Sequence, residues 1–224
     1  MDLFDVIYSV RAQRKFLSEP VPDSMISQLL DAAIRAPSAG NRQEWLFVVV
    51  QDSEQRRKIA AIYEKASVAI MGFYRQRGKP AHLTELQYER LLESGKHLHH
   101  HMDQAPVLLL ACMRTAPVVI PPEAKELDES AIVKQIERTR AASIYPAVQN
   151  LILASRALGL GTVPTTNHLL YEDEVKAVLG LPQEVATYVL MPIGYPQEKF
   201  GPVRRKPISE VAIRDRWGNP WRTN

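Results

Sequence analysis

Ile26, Leu29, Leu30, Ala33 and Ile34 recur at the spacing of one helical face, and the turn residues Pro37-Ser38-Ala39-Gly40-Asn41 stop that helix. It is preceded by a short amphipathic start and opened by Pro20-Val21-Pro22-Asp23. Trp45–Val50 is a continuous apolar run with three valines, the pattern of a strand buried on both faces. Ser53 and Glu54 begin a helical pattern that reaches about Tyr74, and residues 75–80 break it with Gly and Pro. Residues 83–102 are again helical in pattern, 106–113 form a second buried strand, and 115–127, with three prolines, form a loop. Residues 128–158 read as one helix or two, with Pro146 a kink or a restart and Gly159 a left-handed cap. Residues 160–164 fit either a short strand or an extended loop. Residues 172–179 form a short helix closed by Gly180, and 185–193 a third strand. The last thirty residues, rich in Pro, Arg and Trp, show no period. Helices outnumber strands, and the strands lie far apart, which predicts an α+β fold, three layers built around one mixed sheet.

Composition narrows the class. A chain of 224 residues, 46% of them apolar, can bury a real core as one domain spanning 1–224. The net charge of +3 is scattered, so a nucleic-acid partner is not expected, while a local anion site stays open. The single cysteine, Cys112, follows an apolar run and reads as a buried, inert thiol. The first residues lack the basic and apolar regions of a signal peptide. No apolar run approaches the roughly 20 residues that span a bilayer. A cytoplasmic protein without a membrane partner is expected.

Four stretches carry candidate chemistry. Arg11-Ala12-Gln13-Arg14-Lys15 gathers three cations, able to meet an anion or simply to form a solvated basic turn. Arg204-Arg205-Lys206-Pro207 is a second cationic knot, and the two can share one phosphate only if the fold joins the ends of the chain. The stretch 36–45 supplies small residues and the polar side chains of Ser38, Asn41 and Gln43 where a bare turn would need fewer. The stretch 157–166 contains glycines, but not at the spacing or in the strand-to-helix setting of a dinucleotide fingerprint. His97, His99, His100 and His101 tempt a metal reading, yet no carboxylate at a matching spacing completes a site, and no metal is expected. No side chain stands out as a catalytic acid, base or nucleophile. That absence is natural where a cofactor carries the chemistry.

Taken in order, these stretches resemble the nitroreductase family of FMN enzymes. The most specific piece is Ala36-Pro37-Ser38-Ala39-Gly40-Asn41-Arg42-Gln43-Glu44-Trp45, similar to that family's APSxxNxQPW pattern. Next comes Pro146-Ala147-Val148-Gln149-Asn150-Leu151 running into Gly159-Leu160-Gly161. The resemblance implies an interlocked homodimer whose C-terminal segment, about 200–224, extends over the partner subunit, with FMN at the interface. It implies cofactor-binding roles for Arg11, Ala12, Arg14, Pro37, Ser38, Asn41, Gln43, Pro164, Thr165, Thr166, Arg204 and Arg205. Arg11, Arg204 and Arg205 would serve the phosphate, Arg14 the N1/O2 edge of the flavin, and Pro164-Thr165-Thr166 the ring near N5. Pro37, Ser38, Asn41 and Gln43 would reach the flavin from the neighbouring subunit. The implied activity is ping-pong hydride transfer from NAD(P)H through N5 to a small electron-poor acceptor such as a nitroaromatic or quinone. Reductive dehalogenation, flavin fragmentation and a non-catalytic flavin module are the alternatives. Three departures stand out: Val10-Arg11-Ala12 where many members carry Arg-Arg-Ser, Glu44 in place of a proline, and Thr165-Thr166-Asn167 beside the ring.

Overall fold

The computed structural model describes residues 1–222. Helix α1 spans Leu3–Ser9 and α2 Asp23–Ala33; strand β1 follows at Trp45–Val50, at the bounds its apolar run predicts. Helices α3 (Ser53–Arg77) and α4 (Glu85–His101) form a hairpin that leads into β2 (Val107–Arg114). Helix α5 (Glu129–Ala157), strand β3 (Gly161–Thr162), α6 (Glu172–Leu179), β4 (Val185–Gly194) and a short α7 (Ile208–Val211) complete the chain.

The strands lie in the order β1-β2-β4-β3. Every pairing among the described residues is antiparallel, not mixed as the strand spacing suggests. The reason lies between β1 and β2: two helices, α3 and α4, carry the chain out and back, so β2 returns along β1. The α+β class itself holds. In β2 the side chains alternate between two cores. Val107, Leu109, Ala111 and Met113 pack with α2 and α5 through Leu29, Ile144 and Leu151. Leu108, Leu110 and Cys112 pack with α3, α4 and α6 through Ile59, Leu98 and Val175. Helices therefore cover both faces of the sheet, which is why β2 reads as an unbroken apolar run. Each fully buried leucine contributes about 2 kcal/mol of apolar transfer. Cys112 is fully buried, and desolvation pushes its thiol pKa up to about 12.

Helix α5 runs through Pro146 without ending. The missing N–H leaves a carbonyl unpaired on the preceding turn, at a cost of about 3 kcal/mol. Burial of Ile144, Val148 and Leu151 on the same helix offsets it. Gly159 then closes α5 at φ +78°, with Leu160 N–H returning to the Ser155 carbonyl.

The chain's two ends are laced together beside β3. Gln13 N–H donates to the Thr162 carbonyl, Leu17 N–H to Tyr195, Gln197 N–H to Lys15, and Gly201 N–H to Ser9. A Cβ on Gly161 would sit 2.7 Å from the Gln13 Cβ, so this close approach requires glycine. Among the described residues no helix is long and apolar enough to cross a membrane.

Candidate functional site

A cavity of about 470 Å³ opens between the α3–α4 hairpin and the loop after β3, within the size range of small-molecule sites. The strand-edge segment carrying Arg14 forms one wall, and Pro164, Thr165 and Thr166 form another.

Thr165 is held by the sheet. Its N–H donates to the Leu190 carbonyl and its carbonyl accepts from Leu190 N–H, both at 2.9 Å, while its hydroxyl donates to the same Leu190 carbonyl at 3.0 Å. The next residue differs: Thr166 N–H has no partner among the described residues. Behind the loop, Asn167 Nδ2 donates to Ser67 Oγ on α3 at 2.9 Å. Tyr63, one turn earlier on α3, is buried; desolvation raises its pKa, and hydrogen bonds with Thr165 and Ser67 oppose that rise. The loop is thus pinned from two sides with one amide left over.

Arg14 is half-buried at the cavity wall. Desolvation lowers its pKa from the ordinary arginine value, Tyr63 and Glu198 pull the other way, and Arg11 adds to the lowering. Its one hydrogen bond is a long one to Ser94 Oγ, 3.4 Å, and no described carboxylate lies within ion-pair distance. A guanidinium in this position is short of an anionic partner. His99, also on the cavity, has its pKa lowered by desolvation first and by His100 and Arg14 next.

The other candidate residues lie outside this cavity. Arg11 and Ala12 are exposed on the strand-edge segment, and Arg204 and Arg205 are exposed beyond Gly201. The Ser9–Gly201 hydrogen bond joins the backbone two residues before Arg11 to that three residues before Arg204. Pro37, Ser38, Asn41 and Gln43 form a separate loop in which Gly40, Asn41 and Gln43 all have positive φ, near +50 to +60°. Non-glycine residues at such angles mark a constrained loop. Ser38 Oγ accepts from Gln43 N–H at 3.0 Å, Ala39 N–H donates to Ser143 Oγ at 3.1 Å, and Gln43 Nε2 reaches Asn41.

Tyr63, Arg77, His99 and Asn167 line the cavity with Tyr74 and Tyr88, whereas His97 does not. His97 meets His101 edge-on instead, with ring centroids 4.5 Å apart. The helical spacing of Tyr63 and Arg77 on α3 and of His99 on α4 gave no sign of this cavity, because each stands at an ordinary position of a long helix. A second hollow of about 420 Å³ lies between Pro20 and Asp103. Its guanidinium, Arg56, is already spent on the carbonyls of Asp103 and Ala105.

Residues 7–195 match the family model described as "Nitroreductase family". The chain belongs to the nitroreductase family. Among relatives, the "NADH dehydrogenase" of Thermus thermophilus is 28% identical, over 91% of this chain and 91% of its own length. A BluB-like flavoprotein from Clostridium difficile 630 superposes with a TM-score of 0.74 at 25% identity, covering 96% of this chain and all of that one. Iodotyrosine deiodinase bound to FMN and 3-iodo-L-tyrosine does so with 0.67 at 27%, covering 96% and 99%. Nitroreductase-family membership accounts for the ordered motifs and for the architecture in which the cavity sits.

Proposed function

We propose that this nitroreductase-family chain is a cytoplasmic, homodimeric, FMN-dependent oxidoreductase that uses NAD(P)H to reduce small electron-poor molecules such as nitroaromatics or quinones. One observation carries the reading: a half-buried Arg14 without an anionic partner faces the same cavity as the unpaired Thr166 amide. A cation and a fixed N–H donor on one apolar slot suit a planar, electron-poor heterocycle whose reduced form is anionic. The FMN of the deiodinase relative, and the name of the Thermus relative, support the same choice of cofactor and donor.

FMN held there would supply the redox chemistry, hydride transfer between NAD(P)H and the acceptor. The protein's own residues bind and orient. Arg14 would hold the N1/O2 edge, and Pro164 and Thr165 would form a rigid bed for the ring. Thr166 N–H is the donor free to meet N5, because the sheet consumes that of Thr165. Arg11, Arg204 and Arg205 supply phosphate cations at the junction of the two chain ends, with Ala12 contributing its backbone. Pro37, Ser38, Asn41 and Gln43 lie away from their own chain's cavity, which supports their service to a neighbouring subunit's flavin. The exposed apolar side chains of Leu3, Phe4 and Tyr8 on α1, and Trp217 in the tail, support a dimer.

Steady-state NAD(P)H oxidation by FMN-loaded protein tests the reading, with a quinone or a nitroaromatic as acceptor. Acceptor-dependent turnover with parallel double-reciprocal lines is expected. NAD(P)H consumption that ignores every acceptor overturns it. Likeness to the deiodinase favours reductive dehalogenation as the second reading; halide release from a halophenol under the same conditions distinguishes it.

A further inference from the structure

The charges around the cavity are one-sided. Arg14 and Arg77 line it, no Asp or Glu does, and the remaining polar groups are tyrosines, His99 and the 165–167 loop. Arg77 stands in the last turn of α3, beside the Gly78 bend. It makes no ion pair or side-chain hydrogen bond with any described residue. Its neighbour Lys79 has taken the local acceptors: its ammonium lies 3.7 Å from Glu85 and donates to the Leu83 carbonyl. Between the two arginines the walls are apolar, from Met71, Leu91 and Leu98. Across the mouth, the Tyr88 hydroxyl reaches back to the Tyr74 carbonyl at 3.4 Å, linking α4 to α3.

We infer that the preferred acceptor is a planar aromatic bearing an anionic group, a carboxylate or phenolate, and that Arg77 selects it at the cavity rim. This inference rests on the oxidoreductase reading, in which Arg14 is already assigned to the flavin. An aromatic ring fits the apolar walls, and its anion meets the one lining guanidinium left without a task. The same arrangement disfavours amines. An α-amino acid such as the 3-iodo-L-tyrosine held by the deiodinase relative would bring an ammonium to a cavity with two guanidiniums and no carboxylate. Similarity to that enzyme therefore does not extend to its ligand's amino group. A helix-end cation that merely favours the α3 dipole would show none of this selectivity.

The test uses 4-nitrobenzoate, 4-nitrobenzamide and 4-nitrobenzylamine, which share ring and nitro group but carry negative, neutral and positive charge. In each turnover a hydride from NAD(P)H and one solvent proton convert the nitro group to nitroso and release water. For the FMN-loaded wild type, kcat/KM is expected to fall in that order, by roughly twofold to fivefold per step, the scale of an ion pair at an exposed rim. Arg77→Gln should bring the benzoate-to-amide ratio close to unity, Arg77→Lys should restore much of it, and added salt should compress it. Equilibrium dialysis of the three compounds against the same proteins gives a readout independent of turnover. Equal kcat/KM and equal binding for all three overturn the inference and leave the oxidoreductase reading standing. Charge-ordered binding that Arg77→Gln abolishes, without any turnover, keeps Arg77 as the residue that selects the anion but overturns the oxidoreductase reading, and with it the ligand's role as acceptor.

Discussion

Gly201 N–H donates to the Ser9 carbonyl at 3.2 Å, fastening the start of the C-terminal segment to the end of α1. Arg156 reinforces the junction, donating to Ser9 Oγ at 2.9 Å and covering the Phe200 ring at 4.2 Å. Arg11 follows Ser9 closely and Arg204-Arg205 follow Gly201 closely, so one phosphate can draw on both. Arg11→Ala and Arg205→Ala should each weaken FMN retention by about tenfold or more, the scale of a charge-assisted contact. Both side chains are exposed, so the melting temperature of the apo-protein should hardly move. Flavin content after gel filtration checks this, and undiminished flavin in both variants would refute the phosphate assignment.

Two glycines predict opposite signs. Gly161→Ala places a methyl 2.7 Å from the Gln13 Cβ and 3.0 Å from the Pro196 Cβ, both in the laced junction. A loss of about 1–3 kcal/mol is expected from overpacking. Gly72→Ala lies within α3, where an added Cβ meets nothing within 4 Å. It should stabilise by about 0.5–1 kcal/mol through helix propensity. Denaturant midpoints of the two variants measure both.

His168 is fully buried with neither ring nitrogen hydrogen-bonded, and desolvation depresses its pKa to about 4 despite the opposing pull of Glu172. In the unfolded chain its pKa is the ordinary value near 6.5. Between these two values the unfolded state binds a proton that the native state refuses, so stability falls as the pH drops from about 6.5 to 4. The full effect is about 3 kcal/mol, reached near pH 4 and absent above neutrality. Urea midpoints at several pH values should show that slope, and His168→Leu should flatten it. An unaltered slope in the variant would show that other groups set the acid sensitivity.

Trp217 is 93% exposed in the single chain, and Ile208 and Val211 on α7 are also open. In the proposed homodimer, truncation after Pro207 should shift the protein from dimer towards monomer at micromolar concentration. Sedimentation velocity reads the change; an identical profile would place the dimer contact elsewhere.

Much of this was legible in the residues. The β1 run ends where its valines end, and Gly159 and Gly180 close their helices at positive φ, as turn chemistry requires. At Pro146 the residues left a kink and a restart equally open, because the packing of Ile144 and Val148 that decides for one continuous helix is tertiary. Both helices between β1 and β2 were legible, but antiparallel pairing also depends on which strands become neighbours in the sheet, and that is tertiary. Of the candidate site, Arg14 and the 164–166 loop line one cavity, a proximity that their separate motifs did not show and only the family resemblance implied. Arg77 and Tyr63 escaped notice because a polar or aromatic residue on a long helix looks the same whether it faces a cavity, a core or water. Only the fold of the α3–α4 hairpin tells these apart.

The most direct test of the central claim is the absorption spectrum of freshly purified protein, followed by heat release and chromatography of any chromophore. The account predicts a yellow protein that releases FMN in an amount stoichiometric with the chain. A colourless protein that takes up no FMN on reconstitution would contradict it, and would make Val10 and Ala12 the residues that matter at an emptied phosphate site.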